Sequence, residues 1–147
     1  MYQPLQTIHS ILAYIVVFIV LIAVLNAIAG TVTKRPFLPK DKKLALYALI
    51  AVHIQFLVGI ITYVISPLAL KNIQNSGMGT VMKDSLSRLY AIEHPLMMLI
   101  GVILITIGYS SHKNKELPGK KFKTLMIYYL IGFILILSRI PWAQWFS

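Results

Sequence analysis

Thr33-Lys34-Arg35-Pro36-Phe37-Leu38-Pro39-Lys40-Asp41-Lys42-Lys43 stands between two apolar runs, about Ile8 to Ala29 and about Leu44 to Ile65. Each run reaches the ~20 residues that a helix needs to cross a bilayer. The stretch itself, with two prolines and five positive charges, is excluded from hydrocarbon. The alternation repeats further along. Runs at about Leu89 to Tyr109 and Thr124 to Trp145 flank Ser111 to Lys123, which carries five lysines and Pro118-Gly119. The sequence therefore predicts an all-α integral membrane protein, a single domain over 1–147 built as a four-helix bundle. Short connections make successive helices antiparallel, in up-down-up-down order.

Composition agrees. The 147 residues are 58% apolar and only 12% charged, beyond what a water-soluble fold of this size carries. A net charge of +10 raises nucleic acid as a partner, but ten of the fourteen basic residues sit in the two loops just named. That clustering is a topology signal rather than a binding patch. The connection from Ser66 to Ser87 carries only Lys71 and Lys83. The two lysine-rich loops are thus expected in the cytoplasm and both termini outside. The opening Met1-Tyr2-Gln3-Pro4 lacks a basic n-region, so the first run reads as a retained span. Without cysteine there is no disulfide, thiolate ligand or covalent haem attachment.

Ionisable groups inside spans are expensive and usually face a cavity, cofactor or polar partner. The densest such stretch is Glu93-His94-Pro95-Leu96-Met97-Met98. Pro95 has no N–H to offer the carbonyl of Ala91, so a bend or an opened turn is expected beside His94. Helical spacing from His94 reaches Met97, Met98, Gly101, Ile105 and Gly108, a face that narrows along its length and leaves room for something flat. At ~1.5 Å per residue, His53 falls near the bilayer centre, His94 roughly 7 Å outward and His9 roughly 14 Å outward. Arg139 lies near the layer of His94.

Each candidate has a plainer reading. His9 can be a headgroup-bonded interfacial histidine, and His53 a neutral imidazole bonded within the bundle. Met97 and Met98 can be packing, and Glu93 with Arg139 an internal ion pair. Trp142, Trp145 and Phe146 read as an interfacial aromatic belt. In the middle connection, Asp84, Ser85 or Ser87 is positioned to cap the third helix.

Inward histidines in an apolar bundle are a common means of holding haem b, with two neutral imidazoles as axial ligands and a cation paired to the propionates. His94 is expected as one ligand. The second is His9, on the diagonally placed first helix, or His53. Arg139, on a face shared with Tyr128, Gly132, Leu135 and Trp142, is expected to neutralise a propionate. Along the first helix His9, Ala13, Val16, Val20, Ala23, Ala27 and Gly30 form a mostly small stripe that admits a close neighbour.

These features resemble a family of small bacterial four-span proteins known as cytochrome b or cytochrome b-like. The resemblance rests on Ile8-His9-Ser10, Asp41-Lys42-Lys43-Leu44, His53-Ile54-Gln55-Phe56-Leu57-Val58-Gly59, Glu93 to Met98 with Ile107-Gly108-Tyr109-Ser110, and Ile140-Pro141-Trp142, and covers nearly the whole chain. It implies haem b and electron transfer, here between a membrane quinol pool and a redox partner protein. Where that family tends to carry Arg-Trp after the first His-Ser, this chain has Ala13-Tyr14. Three other readings remain. Leu5-Gln6-Thr7-Ile8-His9 is similar to the start of small four-span protoporphyrinogen oxidases, though no matching basic motif follows on the second span. His94, Met97, Met98 and His9 suit Cu(I). As a structural subunit of a respiratory assembly, the chain would use its histidines only as polar glue.

Overall fold

A computed structural model describes residues 1–145. It contains four long helices joined by short ones: α1 (Tyr2–Thr33), α2 (Pro39–Ile65), α3 (Leu70–Ser76), α4 (Met78–Lys83), α5 (Ser85–Arg88), a π-helical turn (Leu89–Glu93), α6 (His94–His112), α7 (Pro118–Ser138) and α8 (Trp142–Trp145). The helices through 2–33, 39–76, 85–112 and 118–138 are long and apolar enough to cross a membrane. Large apolar side chains point away from the protein on each of them, among them Phe18, Leu57, Ile103 and Ile134. Such an outer surface suits contact with lipid rather than water.

α1 packs against α2 and α7, and α6 packs against the same two helices, so α1 and α6 face each other across a diagonal. The first-helix stripe explains part of this closeness, because Val16, Val20, Ala23, Ala27 and Gly30 are all buried. Ile105, Leu125, Tyr129 and Phe133 fill the centre. Tyr129 reaches across it to donate to the carbonyl of Ala45 at 2.7 Å, which satisfies a phenol that would otherwise be stranded in an apolar core.

Both ends of the α1–α2 connection are made by local chemistry. Lys34 takes a left-handed conformation (φ 57°) and returns its N–H to the carbonyl of Gly30, which ends α1. Pro39 opens α2, and Asp41 accepts the N–H of Leu38 at 2.8 Å. The same buried carboxylate takes Arg35 through two guanidinium nitrogens, at 2.8 and 2.9 Å, and Asn26 at 2.9 Å. Arg35 also donates to the Asn26 side-chain oxygen, so the three side chains close on one another. A basic loop read from sequence as topology alone is therefore pinned to α1 by its one acidic residue.

Helix ends depart from the hydropathy edges. α1 begins at Tyr2, well before Ile8, since Tyr2, Gln3 and Gln6 continue a helix although they do not raise its hydropathy. The fourth long helix covers Pro118–Ser138 instead of the expected run from Thr124 to Trp145. Lysines at its start extend it through their apolar stems, and Pro141 breaks it after Ser138. Arg139 and Trp142 consequently leave the face that carries Gly132. Of the aromatic belt, Trp142 and Trp145 pack together with ring centroids 5.0 Å apart, while Phe146 lies outside the described residues. In the middle connection Asp84 is the cap: it accepts the N–H of Ser87 at 2.9 Å, which holds its carboxyl below the usual carboxylate range.

Candidate functional site

Pro95 sets the local geometry of the site. In a regular helix its nitrogen would serve the carbonyl of Ala91, and the chain instead widens into the π-helical turn, where the N–H of His94 bonds to the carbonyl of Leu89. The carbonyl of Ala91 is taken by the hydroxyl of Tyr63 on α2 at 2.9 Å. The opened turn expected from sequence is thus present, and its loose acceptor is satisfied by a residue that sequence reading passed over.

From that turn His94 faces α1. Its Nδ1 pairs with the carbonyl of Arg139 at 2.8 Å, so the ring carries its proton on Nδ1 and leaves Nε2 as the free lone pair. The ring of His9 lies 6.3 Å away, centroid to centroid, with the two planes at 86°. A 14 Å against 7 Å depth difference does not survive in the structure, because helix packing rather than hydropathy edges aligns the two residues. Two imidazoles sharing a first-row metal at about 2.0–2.1 Å per bond would place their centroids about 6 Å apart. The observed spacing is of that size.

Both rings line a cavity of about 520 Å³ that lies between α1, α2 and α6 and is bordered by the end of α7 and the residues that follow it. Its wall is largely apolar, including Val52, Phe56, Met98, Val102, Ile136 and Ile140. Two polar atoms in this region are sealed from solvent and lack a hydrogen-bond partner among the described residues, Nδ1 of His9 and Oε1 of Gln55. The other amide atom of Gln55 donates to the carbonyl of His9 at 2.8 Å. Gly59 lies alongside: a Cβ there would sit 3.2 Å from Cε1 of His9, so the ring rests directly on the α2 backbone.

His53 is placed elsewhere. It is exposed on α2, with Nδ1 against the carbonyl of Leu49 at 2.8 Å and Nε2 3.4 Å from Oγ1 of Thr106. It does not line the cavity. Met98 lines it and Met97 does not. Further along α6, the narrow face is filled by α7 rather than by open space. A Cβ on Gly101 would lie 3.1 Å from the carbonyl oxygen of Gly132, and one on Gly132 would lie 3.1 Å from that of Gly101.

Arg139 contributes to the site differently from the sequence expectation. Its carbonyl orients His94, while its guanidinium is 3.5 Å from Oε1 of Glu93. Arg88 holds the other oxygen of Glu93 at 2.9 Å and donates to the carbonyl of Met82 at 2.8 Å. The cluster of two arginines and one glutamate borders a second cavity of about 360 Å³, which shares Ile140 with the first. Arg88 was not singled out from sequence, since it falls where the middle connection passes into the third apolar run. Its five-residue spacing from Glu93 is unlike a helical pair and becomes close only through the π turn.

Among the described residues no group of three or more His, Asp or Glu side chains could hold a metal ion, so the imidazole pair is a two-ligand arrangement. No protein-family model, curated protein or solved structure matches the chain.

Proposed function

We propose that the chain is an integral membrane haem b protein, an up-down-up-down bundle with both termini on the outer side of a bacterial cytoplasmic membrane, which passes electrons between a quinol pool and a partner protein. The observation that carries this reading is the His9–His94 pair, 6.3 Å apart over the 520 Å³ cavity, with Nδ1 of His94 already committed to a backbone carbonyl. The residues fit such a group. His94 would hold the iron through Nε2 and His9 would hold it with His94, in preference to His53, which is exposed and does not line the cavity.

When bound, the haem supplies a one-electron iron couple whose potential is set by its ligands and surroundings. Val52, Phe56, Val102 and Ile136 make the wall around the two rings apolar, which would lower the dielectric around a bound group. Arg88 and Arg139 together outnumber Glu93 by one positive charge, and that excess is the countercharge available to a propionate at this end of the bundle.

The test is an absorption spectrum and metal analysis of the purified protein. A sharp Soret band with reducible alpha and beta bands, abolished in His94→Ala while the protein still inserts, is the expected result. An unchanged low-spin spectrum in His94→Ala would overturn it. One observation favours a second reading: Met98 lines the same cavity as the two histidines, a soft donor set suited to Cu(I). A colourless protein that retains copper would establish that reading instead.

A further inference from the structure

Phe56, Ile60 and Tyr63 on α2 and Pro95, Leu99 and Val102 on α6 are spaced alike, at i, i+4 and i+7, and all six line the 520 Å³ cavity. Each helix therefore turns a whole face toward the cavity, and the two pack less closely than the other three pairs of neighbouring long helices. Two polar contacts tie them. The hydroxyl of Tyr63 reaches the carbonyl of Ala91, in the π turn at the head of α6, at 2.9 Å, and deeper in the bundle Nε2 of His53 lies 3.4 Å from Oγ1 of Thr106. Among the described residues no other hydrogen bond joins α2 to α6 or to that turn. Ten residues of α2, about 15 Å of helix, separate the two ties. In that interval Ile60, Leu96 and Leu99 line the cavity and are also 44%, 47% and 41% exposed, so the cavity reaches the outer face of the bundle there. No Asp, Glu, Lys or Arg stands on α2 or α6 between the ties, and Leu57 and Ile103 continue the apolar rim.

The end of the bundle offers the alternative way in, and it is crossed by polar and aromatic contacts. Tyr90 donates to Oε1 of Gln144 at 2.7 Å, and the rings of Tyr14 and Trp145 lie 4.3 Å apart, centroid to centroid. Tyr90, Gln144 and Trp145 all border the cavity. We infer that the gap between α2 and α6 is a lateral window, and that haem b enters the cavity through it from the hydrocarbon of the bilayer. Haem as the occupant rests on the function proposed above, whereas the window does not. A porphyrin is flat and apolar over most of its area, so a path lined by leucine and isoleucine keeps it out of water throughout. Passage through the window needs side-chain rotations of Ile60, Leu96 and Leu99, while entry at the end must break the Tyr90–Gln144 bond and part the aromatic rings. His53, outside the cavity, marks the inner edge of the window through Thr106.

The chain has no cysteine, so the window and the end can each be bridged reversibly. One protein carries Ile60→Cys with Leu99→Cys and another Tyr90→Cys with Gln144→Cys, each joined by a bifunctional methanethiosulfonate that reductant removes. Each is reconstituted without haem in lipid vesicles and mixed with vesicles loaded with haem. The bridge across the window should slow the rise of the Soret band about tenfold, its removal should restore the rate, and the bridge at the end should leave the rate unchanged. Slowing by the end bridge alone, or equally by both, overturns the inference. A second measurement does not involve haem. Val102 lines the cavity and is buried from the outer surface, so a lipid tail reaches it only through the cavity. Phosphatidylcholine with a diazirine at the end of its acyl chain, photolysed in vesicles holding the haem-free protein, should label Val102 in the parent and lose that label when the window is bridged. An unlabelled Val102 in the parent overturns the window itself. A parent that takes up no haem while Val102 is labelled overturns haem as the occupant, and with it the function proposed above, but not the window.

Discussion

The hydroxyl of Tyr63 meets the carbonyl of Ala91 at 2.9 Å, the acceptor that Pro95 leaves without a helical donor. This contact joins α2 to the π turn from which His94 projects. Tyr63→Phe removes it without opening a cavity, and the carbonyl of Ala91 is then left in an apolar surround. Stability should fall by about 1–2 kcal/mol. Thermal unfolding in detergent measures this, and the same variant should broaden the histidine spectrum of His94 because its supporting turn is released. A melting temperature and a His94 signal both identical to the parent would mean that the turn is held by backbone geometry alone.

The four helices were legible because a bilayer-length apolar run needs no tertiary information to be recognised, and the lysine loops mark its ends. Hydropathy was less informative about depth. It placed His9 near the interface because Tyr2, Gln3 and Gln6 are polar enough to lower a window average, yet they continue α1. Pro95 announced an opened turn, but nothing in its neighbourhood specified a π turn or named Tyr63, which lies on another helix. Arg139 illustrates a different limit. A guanidinium is visible in a sequence as a charge, whereas the backbone carbonyl that actually meets His94 belongs to every residue and has no signature. His53 looked nearly as good a ligand as His9 because mid-span depth says nothing about which way a side chain points.

α6 and α7 approach through glycine. A Cβ added to Gly101 would lie 2.6 Å from Cγ1 of Ile136 and 3.1 Å from the carbonyl of Gly132, so the helices would have to separate. Gly101→Ala should therefore destabilise by about 1–3 kcal/mol, despite the better helix propensity of alanine. Gly79→Ala, with nothing within 4 Å of the new methyl group, is the matched control and should be neutral or slightly stabilising. Equal melting temperatures for the two variants would show that the interface yields.

Asp41 is almost completely buried and takes four hydrogen bonds, from Asn26, Leu38 and two nitrogens of Arg35. Asp41→Ala takes the carboxylate from Asn26 Nδ2, the N–H of Leu38 and Arg35, and leaves the guanidinium only the Asn26 side-chain oxygen and the carbonyl of Pro36 as acceptors. Breaking a buried pair in this way typically costs about 3–5 kcal/mol, and the partial exposure of Arg35, 29% of its side chain, places the expected loss at the lower end. Arg35→Lys should lose less, because an ammonium keeps the charge while giving up the two-pronged geometry. Chemical unfolding of both variants in the same detergent gives the order. If Arg35→Lys proves as damaging as Asp41→Ala, the two-pronged geometry rather than the charge carries the cluster.

The orientation proposed above rests on where the lysines lie. The connections 34–38 and 113–117 join helices at the end opposite His9 and His94, and the flanking helix starts add further lysines. The opposite end holds Lys71, Lys83 and the Arg88–Glu93–Arg139 cluster, whose glutamate offsets part of its charge. The positive-inside bias counts lysine and arginine in short loops, so the lysine-loop end is expected in the cytoplasm and the histidine pair toward the outer surface. The chain has no cysteine, which makes single-cysteine labelling unambiguous. Gly77 is a poor site for the probe because its φ of 85° would strain any side chain, while Asn75 is exposed on the same connection. Asn75→Cys should react with an impermeant thiol reagent on intact spheroplasts, and Asn114→Cys should react only after the membrane is opened. The reverse pattern would put the histidine pair on the cytoplasmic side, and the electron partner of the proposed haem would then have to be sought there.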